Sequence, residues 1–279
     1  YLAAIFILAP EKRAMEIIFD WRLFLIVIAS TLTIASGYII NNFYDAKKDL
    51  INRPRKAMID RLVSQETKLK VYFAINGLVA LLMFFVSWRA VLFFSTYIFL
   101  IWFYSHKLKK MFLIGNLTAS ILAVLPFFGI LMYYKNFYSV IFAHAFFLFL
   151  LIFIRELIKD LENIEGDLVA DYKTIPVVFG DNKAKTIIST LAAVTLIPVY
   201  LLVEIYDIGY MDIYFYLSLA ALLFFVLKLW KSTTKADYLK LHFLLKFIIV
   251  SGVFCIVLIE PAVLIHGKTV ILTHSLSIY

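Results

Sequence analysis

Six stretches of this chain run for about the length of a membrane span without a charged residue: 23–44, 71–88, 90–105, 111–134, 136–154 and 186–203. A helix needs roughly 17–25 apolar residues to cross a bilayer. Residues 213–227 form a shorter stretch of the same kind, and 241–265 carries Lys246 and Glu260 inside it. Eight spans are therefore expected. The runs are continuous rather than alternating, which indicates helices and not barrel strands. The chain opens at Tyr1 without a Met, and its apolar run 1–8 is too short to span. That run lacks the basic flank and small-residue cleavage site of a signal peptide, so it reads as the tail of a ninth helix whose start is missing. Composition excludes the alternatives. With 63% hydrophobic and 16% charged residues and a mean hydropathy of +0.92, a soluble domain of 279 residues has too few charges to cover its surface. The 27 Phe, 17 Tyr and 4 Trp exclude disorder, and the single Cys255 excludes a disulfide scaffold. The expected fold is an all-α polytopic membrane bundle of nine transmembrane helices, forming one domain over residues 1–279.

Lys and Arg partition between the two sides of such a bundle. With the truncated helix counted first, the loops 2–3, 4–5, 6–7 and 8–9 and the adjoining helix ends carry 21 of the 27 basic residues. The other side has Lys12, Arg13, Arg22, Arg89, Lys135 and Lys268. The positive-inside rule places the first side in the cytoplasm, as for a protein of the cell (inner) membrane. Lys228, Lys231, Lys235 and Lys240 read as snorkelling residues that meet anionic lipid.

The acids are concentrated where ordinary membrane loops have few. Seven of the 19 lie between Glu156 and Asp181, and Asp45 and Asp49 stand at the cytoplasmic end of helix 2. Their spacing repeats: Asn41-x-x-x-Asp45-x-x-x-Asp49 in one segment, Asn163-x-x-x-Asp167-x-x-x-Asp171 in the other. Residues four apart share a helix face, so each segment is expected to present a ladder of oxygen ligands. Like charges at that spacing repel unless a cation lies among them. Hard oxygen donors in small number suit Mg²⁺, which takes one or two carboxylates and completes its shell with substrate phosphates. Asn41, Asp45, Asp49, Asn163 and Asp167 are the candidate ligands. Taken singly, each acidic cluster also fits a solvated loop.

Basic residues interleave with these acids. Arg53 and Arg55 follow the first cluster, Arg155 and Lys159 open the second, and Tyr104-Ser105-His106-Lys107-Leu108-Lys109-Lys110 lies between them. Mg²⁺ together with Lys or Arg neutralises a diphosphate leaving group. A nucleic-acid partner is excluded, because the cations are mixed with acids and held at a membrane face. A cation transporter buries its acids mid-span; here the spans are nearly free of acids, Glu260 being the main exception.

Three segments together resemble the UbiA superfamily of intramembrane prenyltransferases. The run Asn41-Asn42-Phe43-Tyr44-Asp45-Ala46-Lys47-Lys48-Asp49 with Ile51-Asn52-Arg53-Pro54 is similar to that family's first aspartate-rich signature. Tyr104-Ser105-x-x-Leu108-Lys109-Lys110 and Gly115-Asn116-Leu117 are similar to its central segment. The stretch Arg155 to Asp167, with Lys173-Thr174-Ile175-Pro176 and Phe179-Gly180 after it, resembles the second signature. Asn116-Leu117-Thr118 also matches a glycosylation sequon, but it falls at the cytoplasmic end of a span and is set aside. The family usually has Asp at the positions of Asn42 and Asn163, so the resemblance implies one fewer anionic ligand in each signature. Asp49, Asp160, Glu162 and Asp171 are the residues available to compensate.

The resemblance implies a nine-helix fold and an Mg²⁺-dependent prenyl transfer. An isoprenyl diphosphate, with geranylgeranyl diphosphate the expected donor, would be held at Asp45, Asp49, Asp160 and Asp167. Arg53, Tyr104, Lys109, Arg155 and Lys159 would meet the diphosphate, and Lys109 would stabilise charge developing on the leaving group. The string from Lys159 to Asp167 resembles the digeranylgeranylglyceryl phosphate synthase type, whose acceptor is the hydroxyl of a prenylglycerol phosphate. An aromatic-ring acceptor of quinone, tocopherol or chlorophyll type is the alternative, followed by a terpene cyclase on the same fold.

Overall fold

The computed structural model describes residues 1–263. The last two residues of the expected 241–265 span, and Lys268, lie outside the described residues. Among the described residues eight helices are long and apolar enough to cross a membrane. In chain order the helices are α1 (Trp21–Asn52), α2 (Pro54–Asp60), α3 (Gln65–Phe84), α4 (Trp88–His106), α5 (Ile114–Tyr134), α6 (Ser139–Glu162), α7 (Ile164–Val169), α8 (Asp181–Ile205), α9 (Gly209–Lys231) and α10 (Lys235–Ile259). Of these, α2 and α7 are too short to span, as are the five-residue helices Ala14–Ile18 and Ile175–Phe179. Residues of the opening run form a short buried helical segment, Ala4–Leu8. Large side chains such as Phe73, Phe84, Phe247 and Phe254 face outward, as lipid-facing residues do.

Helix ends follow local chemistry. Ser64 and Ser87 cap α3 and α4, their hydroxyls accepting from the backbone N–H of Thr67 and Ala90 at 3.1 Å. Thr234 and Asp237 close a reciprocal capping box at the start of α10. Pro54 ends α1 and opens α2: it has no N–H to continue the first helix but tolerates the first turn of the next.

The helices overrun their uncharged stretches, and this positions the site. At 1.5 Å per residue the 32 residues of α1 extend about 48 Å, against roughly 30 Å of hydrocarbon. Its last turns, with Asn41, Asp45, Lys48, Asp49 and Asn52, therefore stand on one rigid rod at the membrane face. The second ladder is different. The chain leaves the helix at Asn163 (φ −119°, ψ 19°), Asp167 lies on the separate helix α7, and Asp171 follows α7 with a left-handed φ of 57°. The expectation of one continuous helical face through Asn163, Asp167 and Asp171 is thus corrected. The ladder is broken into a turn, and Asp171, one of the few residue types that tolerate positive φ, faces solvent. The last span ends at Ile259, so Glu260 lies beyond it rather than within it.

The chain divides into two compact units. One comprises Tyr1–Asp20, Ile130–Ile158 and the residues from Lys185 on; the other comprises Trp21–Gly129 and Lys159–Ala184. In the first, Phe147, Tyr214 and Phe215 pack edge to face, the Phe147 and Phe215 rings 5.0 Å apart, and the Tyr214 hydroxyl donates to the Ile248 carbonyl at 3.0 Å. In the second, α1 packs on α3, α4 and α7. Ser36 on α1 donates to Asn76 on α3 at 2.8 Å, and Tyr97 on α4 donates to the Leu122 carbonyl of α5 at 3.0 Å.

A buried brace joins the end of α1 to α7 inside the second unit. Asn52 Oδ1 accepts the Gly166 N–H at 3.1 Å, and Asn52 Nδ2 reaches the Asn163 carbonyl at 3.5 Å. A Cβ at residue 166 would collide with the Asn52 amide, whereas one at Gly77 would meet open space. Gly166→Ala should therefore cost about 1–3 kcal/mol and lower the unfolding midpoint in detergent. Gly77→Ala is expected to leave that midpoint unchanged or raise it. Equal midpoints for Gly166→Ala and wild type would show that the brace is not needed.

Candidate functional site

Helix α1 offers two polar faces near its end. With about 100° between successive residues, Asn41, Asp45, Lys48 and Asn52 fall on one face, and Asn42, Ala46 and Asp49 on the next. The first face meets the 108–110 turn, α7 and the turn after it, all within the second unit. Lys109 Nζ donates to Asp45 Oδ1 at 2.6 Å and to Asn41 Oδ1 at 3.2 Å. The Tyr172 hydroxyl donates to the same Asp45 oxygen at 2.7 Å. Lys48 forms an ion pair with Asp167, which is fully buried. The Lys48 ammonium also lies 4.2 Å from the centre of the Tyr172 ring, and that of Lys110 lies 5.5 Å from it.

Local backbone bonds hold these groups in place. The Tyr172 N–H donates to the Asp167 carbonyl at 2.8 Å, and the Lys173 N–H donates to the Lys110 carbonyl at 3.1 Å. The turn after α7 is thereby tied both to its own aspartate and to the lysine-bearing turn. Gly115, against which the Lys109 backbone lies, has no room for a side chain. One end of the second ladder is fixed by Asn163, whose Nδ2 donates to the Lys159 carbonyl at 2.6 Å.

Burial and charge act against each other here. Burial lowers the Lys109 ammonium pKa below its usual value, and the neighbouring Asp45 pulls it back up. Burial raises the Asp167 carboxyl, while Lys48 and then Lys159 favour its charged form. Burial, and next the charge of Asp45, push Tyr172 far above the ordinary phenol range, so it is a proton donor to Asp45 and not an anion.

The candidate residues from the sequence sort into groups. Asn41, Asp45, Lys109, Asn163, Lys159 and Asp167 are brought into one neighbourhood, with Tyr104 close enough to Tyr172 to act on its titration. Asp160 is held by the buried Asn116, whose Nδ2 donates at 2.7 Å. Asp49 is not brought in; it turns to the second face and pairs with Lys56 at 3.3 Å. Arg53 lies 3.7 Å from Glu162. Arg155 belongs to the other unit, where it pairs with Glu156 at 3.0 Å. Lys48, Asn52 and Tyr172 were missed as site residues. Lys48 had a signal, since it follows Asp45 by three and Asn41 by seven on the same helical face. Tyr172 had none, because its reach depends on the turn after α7.

Among the described residues no three His, Cys, Asp or Glu side chains converge to hold a metal unaided. The donors nonetheless fit a hard cation that brings its own anionic ligand. Asn163 Oδ1 and both Asp167 oxygens are buried and accept no hydrogen bond from a described residue, the Lys48 ion pair apart. Buried acceptors of this kind cost free energy unless a cation meets them.

The sequence profile of the UbiA prenyltransferase family matches residues 3–263, across both units. The chain belongs to the UbiA prenyltransferase family. It is a prenyltransferase with the all-helical UbiA fold. Curated relatives are named digeranylgeranylglyceryl phosphate synthase. That of Methanobrevibacter smithii is 28% identical over 74% of this chain and 75% of its own length. Those of Pyrococcus furiosus and Methanosphaera stadtmanae are 30% and 35% identical over 64% of this chain. Those two are matched over 65% and 66% of their own lengths, so the chain spans just under two thirds of each. Among solved structures, a digeranylgeranylglyceryl phosphate synthase in membranes superposes with a TM-score of 0.66 at 22% identity over 86% of each chain. A UbiA homologue from Archaeoglobus fulgidus, bound to GPP and Mg²⁺, gives 0.64 at 17% identity over 84% of this chain and 87% of that one. At these identities the likeness is one of fold.

Within this family member, Asp45 and Asp167 are the two carboxylates of the site that are paired with lysines, Lys109 and Lys48 in turn. Asp45→Ala or Asp167→Ala should cut prenyl transfer by roughly a hundredfold or more at limiting Mg²⁺, with the protein still folded in detergent. Near wild-type rates in both variants would contradict the assignment.

Proposed function

We propose that this chain transfers a prenyl group from an isoprenyl diphosphate, geranylgeranyl diphosphate by preference, to the hydroxyl of a prenylglycerol phosphate. The observation that carries this reading is the pair of carboxylates, half-buried Asp45 and fully buried Asp167, each neutralised by its own lysine at the face of an apolar bundle. The naming of the relatives supports the acceptor. The donor binds with its diphosphate among Lys48, Lys109, Lys110 and Lys159 and its chain among the helices. Asn41, Asp45, Asn163 and Asp167 are the residues that would hold Mg²⁺. That ion, when bound, neutralises the diphosphate oxygens and so eases their departure.

The chain's own groups do the rest. The C1–O bond of the donor breaks and the diphosphate leaves with the electron pair. Negative charge grows on the leaving oxygen, where Lys48 and Lys109 are preorganised to meet it. The acceptor hydroxyl oxygen forms the new bond to C1, and its proton departs with the released diphosphate. Tyr172 holds Asp45 in orientation by a hydrogen bond that persists because the phenol stays protonated. The lysine-rich side carrying these groups faces the cytoplasm of the cell membrane.

The test uses sealed membrane vesicles of both orientations, labelled geranylgeranyl diphosphate, and either Mg²⁺ or EDTA. The acceptors offered are a geranylgeranylglyceryl phosphate and an aromatic acid such as 4-hydroxybenzoate. Product is expected with Mg²⁺ and the prenylglycerol phosphate, in inside-out vesicles. Transfer to the aromatic acid alone would overturn the reading, and activity confined to right-side-out vesicles would overturn the orientation.

A further inference from the structure

The second polar face of α1 borders a partly open cavity of about 170 Å³, bounded also by α2 and the start of α3. Asn42 and Asp49 from α1 line it, with Lys47, Asp60, Arg61 and Lys68 around them. All of these residues are in the same unit as Asp45 and Asp167. The charges of this wall are not balanced. Lys56, outside the cavity, reaches both acids, Asp49 at 3.3 Å and Asp60 at 3.8 Å. Asn42 holds the rest of the lattice: its Nδ2 donates to Asp60 at 2.5 Å, and its Oδ1 accepts from Lys68 at 2.8 Å. Lys68 therefore spends one donor on a neutral amide and keeps its charge. Lys47 and Arg61 form no ion pair among the described residues. With Lys56 counted, four cations stand against two carboxylates, and the net +2 faces a space that would hold about five water-sized groups, which is ample for one phosphate.

We infer that this cavity is the subsite for the phosphate monoester of the acceptor. The inference rests on the proposed acceptor and adds where its head group is held. A donor diphosphate and an acceptor phosphate repel one another, so an enzyme that joins their lipids needs two separate sets of cations. Helix α1 separates two such sets. Lys48 and Lys109 serve the face of Asp45, and Lys47, Arg61 and Lys68 serve the face of Asn42. The faces are about 100° apart on a cylinder roughly 10–12 Å across, so side-chain ends on them are roughly 8 Å apart. That spacing suits an acceptor whose reacting hydroxyl is two carbons from its phosphate, with the hydroxyl directed at C1 of the donor. Asn42 then has a role of its own: a neutral amide there bonds Asp60 and Lys68 together without adding a negative charge to an anion subsite. Arg61 offers a planar, multi-donor contact to phosphate.

Steady-state kinetics in vesicles distinguishes this from its alternatives. The acceptors compared are geranylgeranylglyceryl phosphate and its dephosphorylated form, with wild type, Arg61→Ala, Lys68→Ala and Asn42→Asp. For the phosphorylated acceptor, each variant should raise KM about tenfold, with the KM for geranylgeranyl diphosphate unchanged. For the dephosphorylated acceptor, wild type and variants should be alike. Arg61→Lys should recover part of the loss. If wild type does not prefer the phosphorylated acceptor at all, the proposed function itself fails. If wild type prefers it and the variants keep its KM, the subsite is elsewhere. Repeating the series in vesicles of phosphatidylcholine alone and with phosphatidylglycerol separates a membrane headgroup from the acceptor. An Arg61→Ala effect seen only with the anionic lipid would place that lipid in the cavity and overturn the inference.

Discussion

Two ion pairs, Lys109 with Asp45 and Lys48 with Asp167, let this site exist in an apolar bundle. The acidic segments approach from different parts of the chain and would repel if both were charged and bare. A carboxylate taken out of water without a partner costs several kcal/mol. The lysines offset that cost where they stand, and Tyr172 adds a neutral donor to Asp45 while its ring lies under Lys48. The Asn52 brace to Gly166 and Asn163 sets the spacing of the two segments. The site is thus preorganised around cations that the protein itself supplies.

Such an arrangement ties metal binding to substrate. Each carboxylate in the substrate-free protein already has a cationic partner, so a divalent ion must compete with an ammonium for it. A diphosphate changes this balance by giving the lysines an alternative anion. The lysines can then pass from carboxylate to phosphate, and the carboxylates to the metal. Two ligands that each bind more tightly in the presence of the other are coupled reciprocally. The same account explains why Asn42 is no loss to the metal site: it lies on the other face of α1 and serves another cavity.

Much of this was legible in the sequence, for identifiable reasons. Uncharged runs of bilayer length gave the spans, because the hydrocarbon thickness dictates helix length. The first ladder, Asn41 to Asp49, was readable as helical spacing, and α1 carries all of it without a break. The same spacing misled at Asn163, because a period of four cannot show where a helix ends when the stop is a turn with no Pro or Gly signal at the break itself. It also concealed that Asp49 rotates away: a step of four residues drifts by about 40°, so two steps carry a side chain to the next face. Partners set by tertiary packing, such as Tyr172 on Asp45 and Asn116 on Asp160, join segments distant in the chain and leave no local pattern.

The central claim is that internal lysines hold the carboxylates until the diphosphate arrives. Calorimetric titration of the purified protein with Mg²⁺ tests it most directly, with and without a non-hydrolysable geranylgeranyl diphosphate analogue. The account predicts weak binding to the free protein and binding at least tenfold tighter with the analogue. It also predicts that Lys48→Ala tightens the binary Mg²⁺ complex, by releasing Asp167, while weakening analogue binding. Tight Mg²⁺ binding to the free wild-type protein, unchanged in Lys48→Ala and indifferent to the analogue, would contradict it.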